Sequence, residues 1–311
     1  GIHPGRGELA DEWLVIGGHF DHLGRGYLGS REPDSTEIHY GADDNASGVG
    51  SMLLLARRLA KGDTGEGDRR SILFIGFDAE EAGLHGSDWF LDNCPIEHEQ
   101  VIAMLNMDMM GRLRDNRLSI SGTGTAEEFD EMLPRVVEPT GLVVSPNPGG
   151  RGPSDHSNFY DRDIPVLFFY TGDHDDYHTP RDTIETLNFA GLHKVTRYVR
   201  NMTVALAQLP EAPGYVKVER NPGRNAPRVR LGIQFEALEE SIRVTSVQAG
   251  SAAAQSGLKE DDILRQLDGT DVRNAEELVA VLRKLEPGKD YPLMVNRLDK
   301  EIRLRISPER R

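Results

Sequence analysis

A single cysteine, Cys94, stands in the 311 residues, so neither an internal disulfide framework nor a cysteine-rich zinc site can be built. Any metal held by this chain must be held by His, Asp and Glu. No run approaches the roughly 18 apolar residues that a membrane-spanning helix needs. Basic excess is also missing: residues 1–210 carry 18 Lys and Arg against 34 Asp and Glu, a net charge of −16, while residues 228–311 carry 15 of each. Nucleic-acid binding needs clustered phosphate-neutralising cations and is disfavoured. Such an acidic field attracts cations and metal ions instead. The chain opens Gly1-Ile2-His3 without Met, which reads as a processed or truncated N-terminus.

What the chain does contain is a core. Hydrophobic residues make up 38%, charged residues 28%, and the mean hydropathy is −0.48, the profile of a folded chain of about two domains by length. Residues 12–18, 71–77 and 164–170 are apolar runs that read as buried strands. Helical patterns lie between and after them, over 47–59, 83–91, 126–137 and 189–209. Two-sidedly apolar strands alternating with helices predict an α/β domain over 1–209, with a mostly parallel mixed sheet covered by helices on both faces. Residues 210–227, with four prolines and two glycines, predict a linker. A smaller β-rich domain is expected over 228–311, with strands near 231–233 and 242–247 and helices over 251–256 and 275–285.

In the first domain the strand ends are stocked with metal-type side chains. His19-Phe20-Asp21 follows the first strand, and alternation places His19 and Asp21 on one side, a geometry in which a carboxylate orients a ligand imidazole. Gly41-Ala42-Asp43-Asp44-Asn45-Ala46-Ser47-Gly48 comes next, its Asp43 standing 24 residues beyond His19; Glu80-Glu81 follows the second strand, and Asp108 and His178-Thr179-Pro180 come later. In open α/β sheets, loops at the carboxyl ends of strands converge on one crevice. Two His and three or four carboxylates suffice there for two divalent ions, provided one carboxylate bridges and another stays uncoordinated as a base. Adjacent acids such as Glu80-Glu81 can divide those duties between the metal and the water.

These motifs, in this order and over residues 12–209, resemble the zinc peptidases of family M28, which include bacterial aminopeptidases and glutamate carboxypeptidases. The resemblance implies two zinc ions, with His19 and Asp108 on one, Glu81 and His178 on the other, Asp43 bridging them and a cis peptide bond between Asp43 and Asp44. It also implies Glu80 as general base and then acid, and Asp21 as the group that orients His19. Asp155 and His156, in Ser154-Asp155-His156-Ser157, match a family segment beside the substrate pocket. Some members carry a Tyr four residues before that Asp to steady the oxyanion; Arg151 stands there here and is the candidate replacement in substrate binding.

The second domain resembles a PDZ domain of the type attached to bacterial proteases, on Arg230-Leu231-Gly232-Ile233, the Ala249-to-Ala254 segment and Asp261-Asp262-Ile263-Leu264. The implied pocket takes a peptide C-terminal carboxylate on the amides of Leu231, Gly232 and Ile233 while the peptide extends the sheet. The expected whole is a two-zinc aminopeptidase acting on peptides, secreted or periplasmic by family habit. A carboxypeptidase and a glutaminyl cyclase-like acyltransferase on the same fold are the alternatives.

Overall fold

The computed structural model describes all residues except 27, 28, 33, 63–66, 138, 139, 219–228, 239, 240, 249, 299 and 311; side chains at 236–238, 275 and 276 are also left aside. The chain divides into two compact units, Gly1–Glu219 and Arg220–Arg311.

In the first unit the strands are β1 (Ile2–His3), β2 (Trp13–His19), β3 (Ser71–Phe77), β4 (Val101–Met107), β5 (Arg117–Ser121), β6 (Val143–Asn147) and β7 (Val166–Tyr170). The helices are α1 (Gly48–Ala60), α2 (His85–Asn93), α3 (Glu128–Val137), α4 (His156–Tyr160) and α5 (Phe189–Ala207). One seven-stranded sheet runs β1-β3-β2-β4-β7-β5-β6. Its centre, β3-β2-β4-β7, is parallel, while β1 joins β3 and β5 joins β7 antiparallel.

Alternation along the central strands feeds two cores. Leu14 and Ile16 of β2 pack with Met52, Leu55 and Leu59 of α1 and Val195, Tyr198 and Met202 of α5. Val15, between them, faces the other way, with Leu91 of α2 and Phe159 and Tyr160 of α4. Each strand is therefore buried on both faces, which is why its sequence reads as an unbroken apolar run. All seven residues of β4 are buried, and this strand sits in the middle of the sheet although no strand was expected at that position. Its β-branched residues, Val101 and Ile102, stand only at its start, and the following Ala-Met-Leu-Asn-Met does not by itself tell strand from helix.

The expected linker is partly structure. Tyr215 bridges Ala126, the Val216 N–H donates to the Thr125 carbonyl at 2.8 Å, and the Tyr160 hydroxyl donates to the Val218 carbonyl at 3.1 Å, so residues up to 218 are docked on the first unit. The remainder of the expected linker, from 219, lies outside the described residues.

The second unit comprises β8 (Val229–Arg230), β9 (Ile233–Leu238), β10 (Ser241–Val247), α6 (Ala252–Ser256), β11 (Ile263–Leu267), β12 (Thr270–Asp271), α7 (Ala275–Leu282), β13 (Tyr291–Arg297), β14 (Lys300–Ile306) and β15 (Glu309–Arg310). The sheet order is β14-β13-β11-β10-β9, with β12 on β11, and β15 pairs β8 separately. It has its own core, built around Leu231, Ile242, Val244, Leu264, Leu278 and Val295.

Candidate metal centre

The parallel strands set the site's frame. β2 ends at His19, β4 ends one residue before Asp108, β3 ends three residues before Glu80, and the loop after β7 carries His174, His178 and Asp182. Asp44 arrives from the irregular segment Ala42–Ser47 that leads into α1. Neighbouring loops hold that segment on both sides. The buried Asp182 carboxylate accepts the backbone N–H groups of Asp43 and Asp44 through Oδ2, at 2.9 and 3.0 Å, and meets Arg112 through Oδ1 at 3.3 Å. Asn45 donates to the Met107 carbonyl at 3.0 Å and accepts from the Met109 N–H at 3.3 Å, bracketing Asp108. Non-glycine residues with positive φ recur in the ligand loops: Ala79 before Glu80, Met109 after Asp108, and His178 itself. Such backbone is uncommon and clusters at functional sites.

Four separations define the centre. His19 Nε2 lies 3.2 Å from Asp44 Oδ1 and 3.6 Å from Asp108 Oδ1, while His178 Nε2 lies 3.1 Å from both Asp44 Oδ2 and Glu81 Oε2. Asp44 thus turns one oxygen to each of two donor sets. Donors about 2.0–2.1 Å from one tetrahedral zinc stand about 3.3 Å apart, so these spacings suit two ions sharing Asp44. His19 Nε2, His178 Nε2 and Asp108 Oδ1 are buried without a hydrogen-bond partner. Such orphaned donors and acceptors are costly unless an unplaced group satisfies them, and divalent ions fit this donor set.

The residue between the two donor sets is one position later than expected, Asp44 and not Asp43. Asp43 is fully buried and turned away: its Oδ1 accepts from the Gly111 N–H at 2.5 Å and the Ser47 hydroxyl at 2.9 Å, and its Oδ2 faces His174 Nε2 at 3.3 Å. The cis peptide bond likewise joins Asp44 to Asn45 rather than Asp43 to Asp44. Both acids lie in an irregular segment, where neither strand nor helix periodicity says which faces the crevice.

Asp21 acts mainly on the adjacent glutamates. Its carboxylate accepts the backbone N–H groups of Glu80 and Glu81 at 3.0 and 3.2 Å, while His19 Nδ1 is 3.1 Å from the Asp21 carbonyl and 3.6 Å from its carboxylate. Crowding sets the proton affinities. Burial, helped by the charges of Asp108, Asp155 and Glu81, pushes Glu80 up to about 9. Burial disfavours a charged His19, yet the nearby carboxylates of Asp108, Asp21 and Asp44 outweigh it and raise its pKa far above the usual imidazole range. Burial opposes ionisation of Asp44 too, and the neighbouring imidazoles of His178 and His19 outweigh it and hold the carboxyl low.

A model described as peptidase family M28 matches residues 1–203. The chain belongs to peptidase family M28. A PDZ domain model matches residues 229–307. Within the M28 unit, a probable leucine aminopeptidase of Arthroderma otae is 25% identical over 208 residues, covering 63% of this chain and 54% of that protein. Aminopeptidase YwaD of Bacillus subtilis is 31% identical over 166 residues, covering 50% and 35%. A solved structure of a zinc aminopeptidase from Bacillus subtilis, BSAP, is 26% identical with a TM-score of 0.53, covering 70% of this chain and 52% of that one. The chain spans about half the length, or less, of the curated relatives it matches.

Three expected substrate-binding residues of the M28 unit are placed differently. Arg151 is exposed and its Nε donates to Asp161 at 2.6 Å. Asp155 and His156 are fully buried, although the charge of Asp155 still acts on Glu80. His156 stacks on Phe168 at 4.4 Å and burial drops its pKa to about 3, so it is a neutral ring. Burial lifts Asp155 to about 6. Sequence reading also passed over Tyr177, whose ring stacks on His178 at 3.8 Å, and His22. Their nearness to motif residues was the available signal.

In the PDZ unit, a groove of about 490 Å³ runs between β9 and α7, lined by Leu231, Gly232, Ile233, Phe235, Leu278 and Leu282. β9 ends the sheet order, leaving an edge for strand addition. Gly232 has φ +80°, and a Cβ there would lie 2.2 Å from Ser251 Cβ, so the loop before β9 turns where a side chain cannot be placed.

Proposed function

We propose that this chain is a two-zinc aminopeptidase that removes N-terminal residues from peptides, and that its PDZ groove takes peptide C-termini. The observation that carries the reading is Asp44, whose two oxygens face separate His-carboxylate sets, with the uncommitted carboxyl of Glu80 in the residue before Glu81. His19, Asp108 and Asp44 would hold one zinc, and His178, Glu81 and Asp44 the other. When bound, zinc supplies Lewis acidity and makes water acidic enough to lose a proton near pH 7. Cations held beside it would counter the burial that keeps Glu80 protonated, and the ionised carboxylate could then take that proton as the water attacks the scissile carbonyl and hand it to the leaving amine. Asp21 keeps Glu80 and Glu81 in place through their backbone N–H groups.

Tyr177 takes the part expected of Arg151. It is half-buried, and burial together with the charges of Asp44, Glu81, Asp108 and Glu80 raises its pKa above the usual phenol range, so the hydroxyl remains a donor for the developing oxyanion. The relatives named aminopeptidases support the exopeptidase polarity. Metal content by mass spectrometry, paired with hydrolysis of N-terminally free, N-acetylated and C-amidated peptides, tests the reading. Two zincs per chain with activity abolished by acetylation is expected. Undiminished activity on acetylated peptides rejects the aminopeptidase, and one zinc with pyroglutamate formation indicates a cyclase.

A further inference from the structure

His22 lies three residues beyond β2 with its ring inside the crevice, and the chemistry above leaves it without a role. Its Nδ1 is 2.8 Å from Glu81 Oε1 and 3.9 Å from Asp44 Oδ2, and its side chain is 10% exposed. Nε2 is buried without a hydrogen-bond partner. The ring meets His178 edge-on at 5.8 Å. Gly41 closes the other side: with φ +59° and no Cβ, it approaches so closely that an added Cβ would lie 2.6 Å from His22 Cγ. The imidazole is therefore seated by the same segment that delivers Asp44.

His22, Asp44 and Glu81 stand close enough together to hold an ion, so two roles compete, ligand and holder of a ligand. Distance separates them. Two donors on one tetrahedral zinc sit about 3.3 Å apart, and the four spacings assigned to ions are 3.1 to 3.6 Å. The His22–Glu81 spacing of 2.8 Å is shorter than these and is that of a charge-assisted N–H···O bond, about 2.7–2.9 Å. Glu81 moreover presents its other oxygen, Oε2, to His178.

On the two-zinc reading, we propose that His22 is a positioning residue: its Nδ1–H donates to Glu81 Oε1 and holds the carboxylate so that Oε2 alone is offered to the ion shared with His178. A glutamate free to rotate can chelate through both oxygens and fill the open position that a catalytic zinc must keep for substrate. His22 keeps that position clear and makes Glu81 a one-oxygen ligand in a fixed orientation.

His22→Leu removes the donor and nearly keeps the volume; His22→Asn restores an N–H close to where Nδ1 stands. Zinc affinity of each is measured by chelator competition, beside the unfolding temperature of the metal-free protein. The expected result is that His22→Leu weakens one of the two zincs by about 10- to 100-fold, the usual effect of losing a group that orients a ligand. His22→Asn should recover most of that loss, and the metal-free melting temperatures should stay alike. Unchanged zinc binding in His22→Leu overturns the proposal. So does an Asn variant as weak as Leu, because a ligand nitrogen is not replaced by an amide N–H, and so does a loss of affinity that merely follows a lower metal-free melting temperature. Failure of the parent protein to bind a second zinc counts against the two-zinc reading itself, and is seen before any variant is made.

Discussion

Adjacent acids with different surroundings should fail differently when altered. Asp44→Asn weakens the one carboxylate facing both donor sets and should lower the zinc content toward one ion or none, with activity falling with it. Asp43→Asn should keep its zinc while losing about 1–3 kcal/mol of stability, since it disturbs buried bonds to the Gly111 N–H and the Ser47 hydroxyl. Zinc per chain and thermal melts on the two variants check this, and metal loss in the Asp43 variant alone would restore the original assignment. Glu80→Gln should retain both zincs while turnover drops by about 10² to 10⁴-fold, the scale of general acid–base catalysis. Glu81→Gln should lose metal and regain part of its activity with added zinc, which no missing base can do. Tyr177→Phe should cost about 10² to 10³-fold in kcat with little change in zinc content, as expected for one oxyanion donor; an unaltered kcat would leave the oxyanion without this donor. At this scale the sequence was legible where a residue adjoined a strand readable in it: His19 closes β2 and Glu80-Glu81 follow β3 closely, whereas Asp108 was legible only from its place in the order of the motifs. It was not legible within the Ala42–Ser47 segment, whose backbone follows no period.

The elements explain why these side chains stay in place without a disulfide. One edge of the sheet crevice is tied by Asp182, from the loop carrying His178, to the backbone that carries Asp44, and Asn45 ties the entry to α1 to the end of β4. At α4, Asp155 stands at the start of a short helix as a fully buried carboxyl. Burial raises its pKa from 3.8 to about 6, so the folded state favours the protonated form; the stability this contributes is complete below about pH 3.8 and is lost as the pH rises through about 6. The metal-free Asp155→Asn variant, which needs no proton to be neutral, should therefore gain on the parent between pH 4 and pH 8, by at most about 3 kcal/mol. Melting temperatures of both proteins across that range test the sign, and a gap that narrows as pH rises would contradict it. The helices were readable from their periodicity to within a few residues, α1 and α5 especially. β4 was not, because after Val101 and Ile102 its Ala-Met-Leu-Asn-Met run carries no strand signature until neighbours on both sides of the sheet bury it.

Across the whole chain, the acidic M28 unit and the PDZ unit have separate cores. The PDZ reading predicts that a peptide with a free C-terminal carboxylate binds the groove along β9 and that amidating it abolishes binding, because the amides of Leu231, Gly232 and Ile233 lose their anion. Fluorescence anisotropy with paired acid and amide peptides measures this, and equal affinity would reject the pocket. Two folded units, their order, the α/β class of the first and the set of acids and histidines near its strand ends all follow from the sequence. Local periodicity, breaker residues and charge are properties of neighbouring positions, and a chain carries them before it folds. Which of Asp43 and Asp44 faces the crevice, that Asp155 and His156 are fully buried, and that His22 meets Glu81, 59 residues away, were decided by tertiary structure. Each of these depends on distances between segments remote in sequence, and such distances exist only once the sheet has brought its loops together.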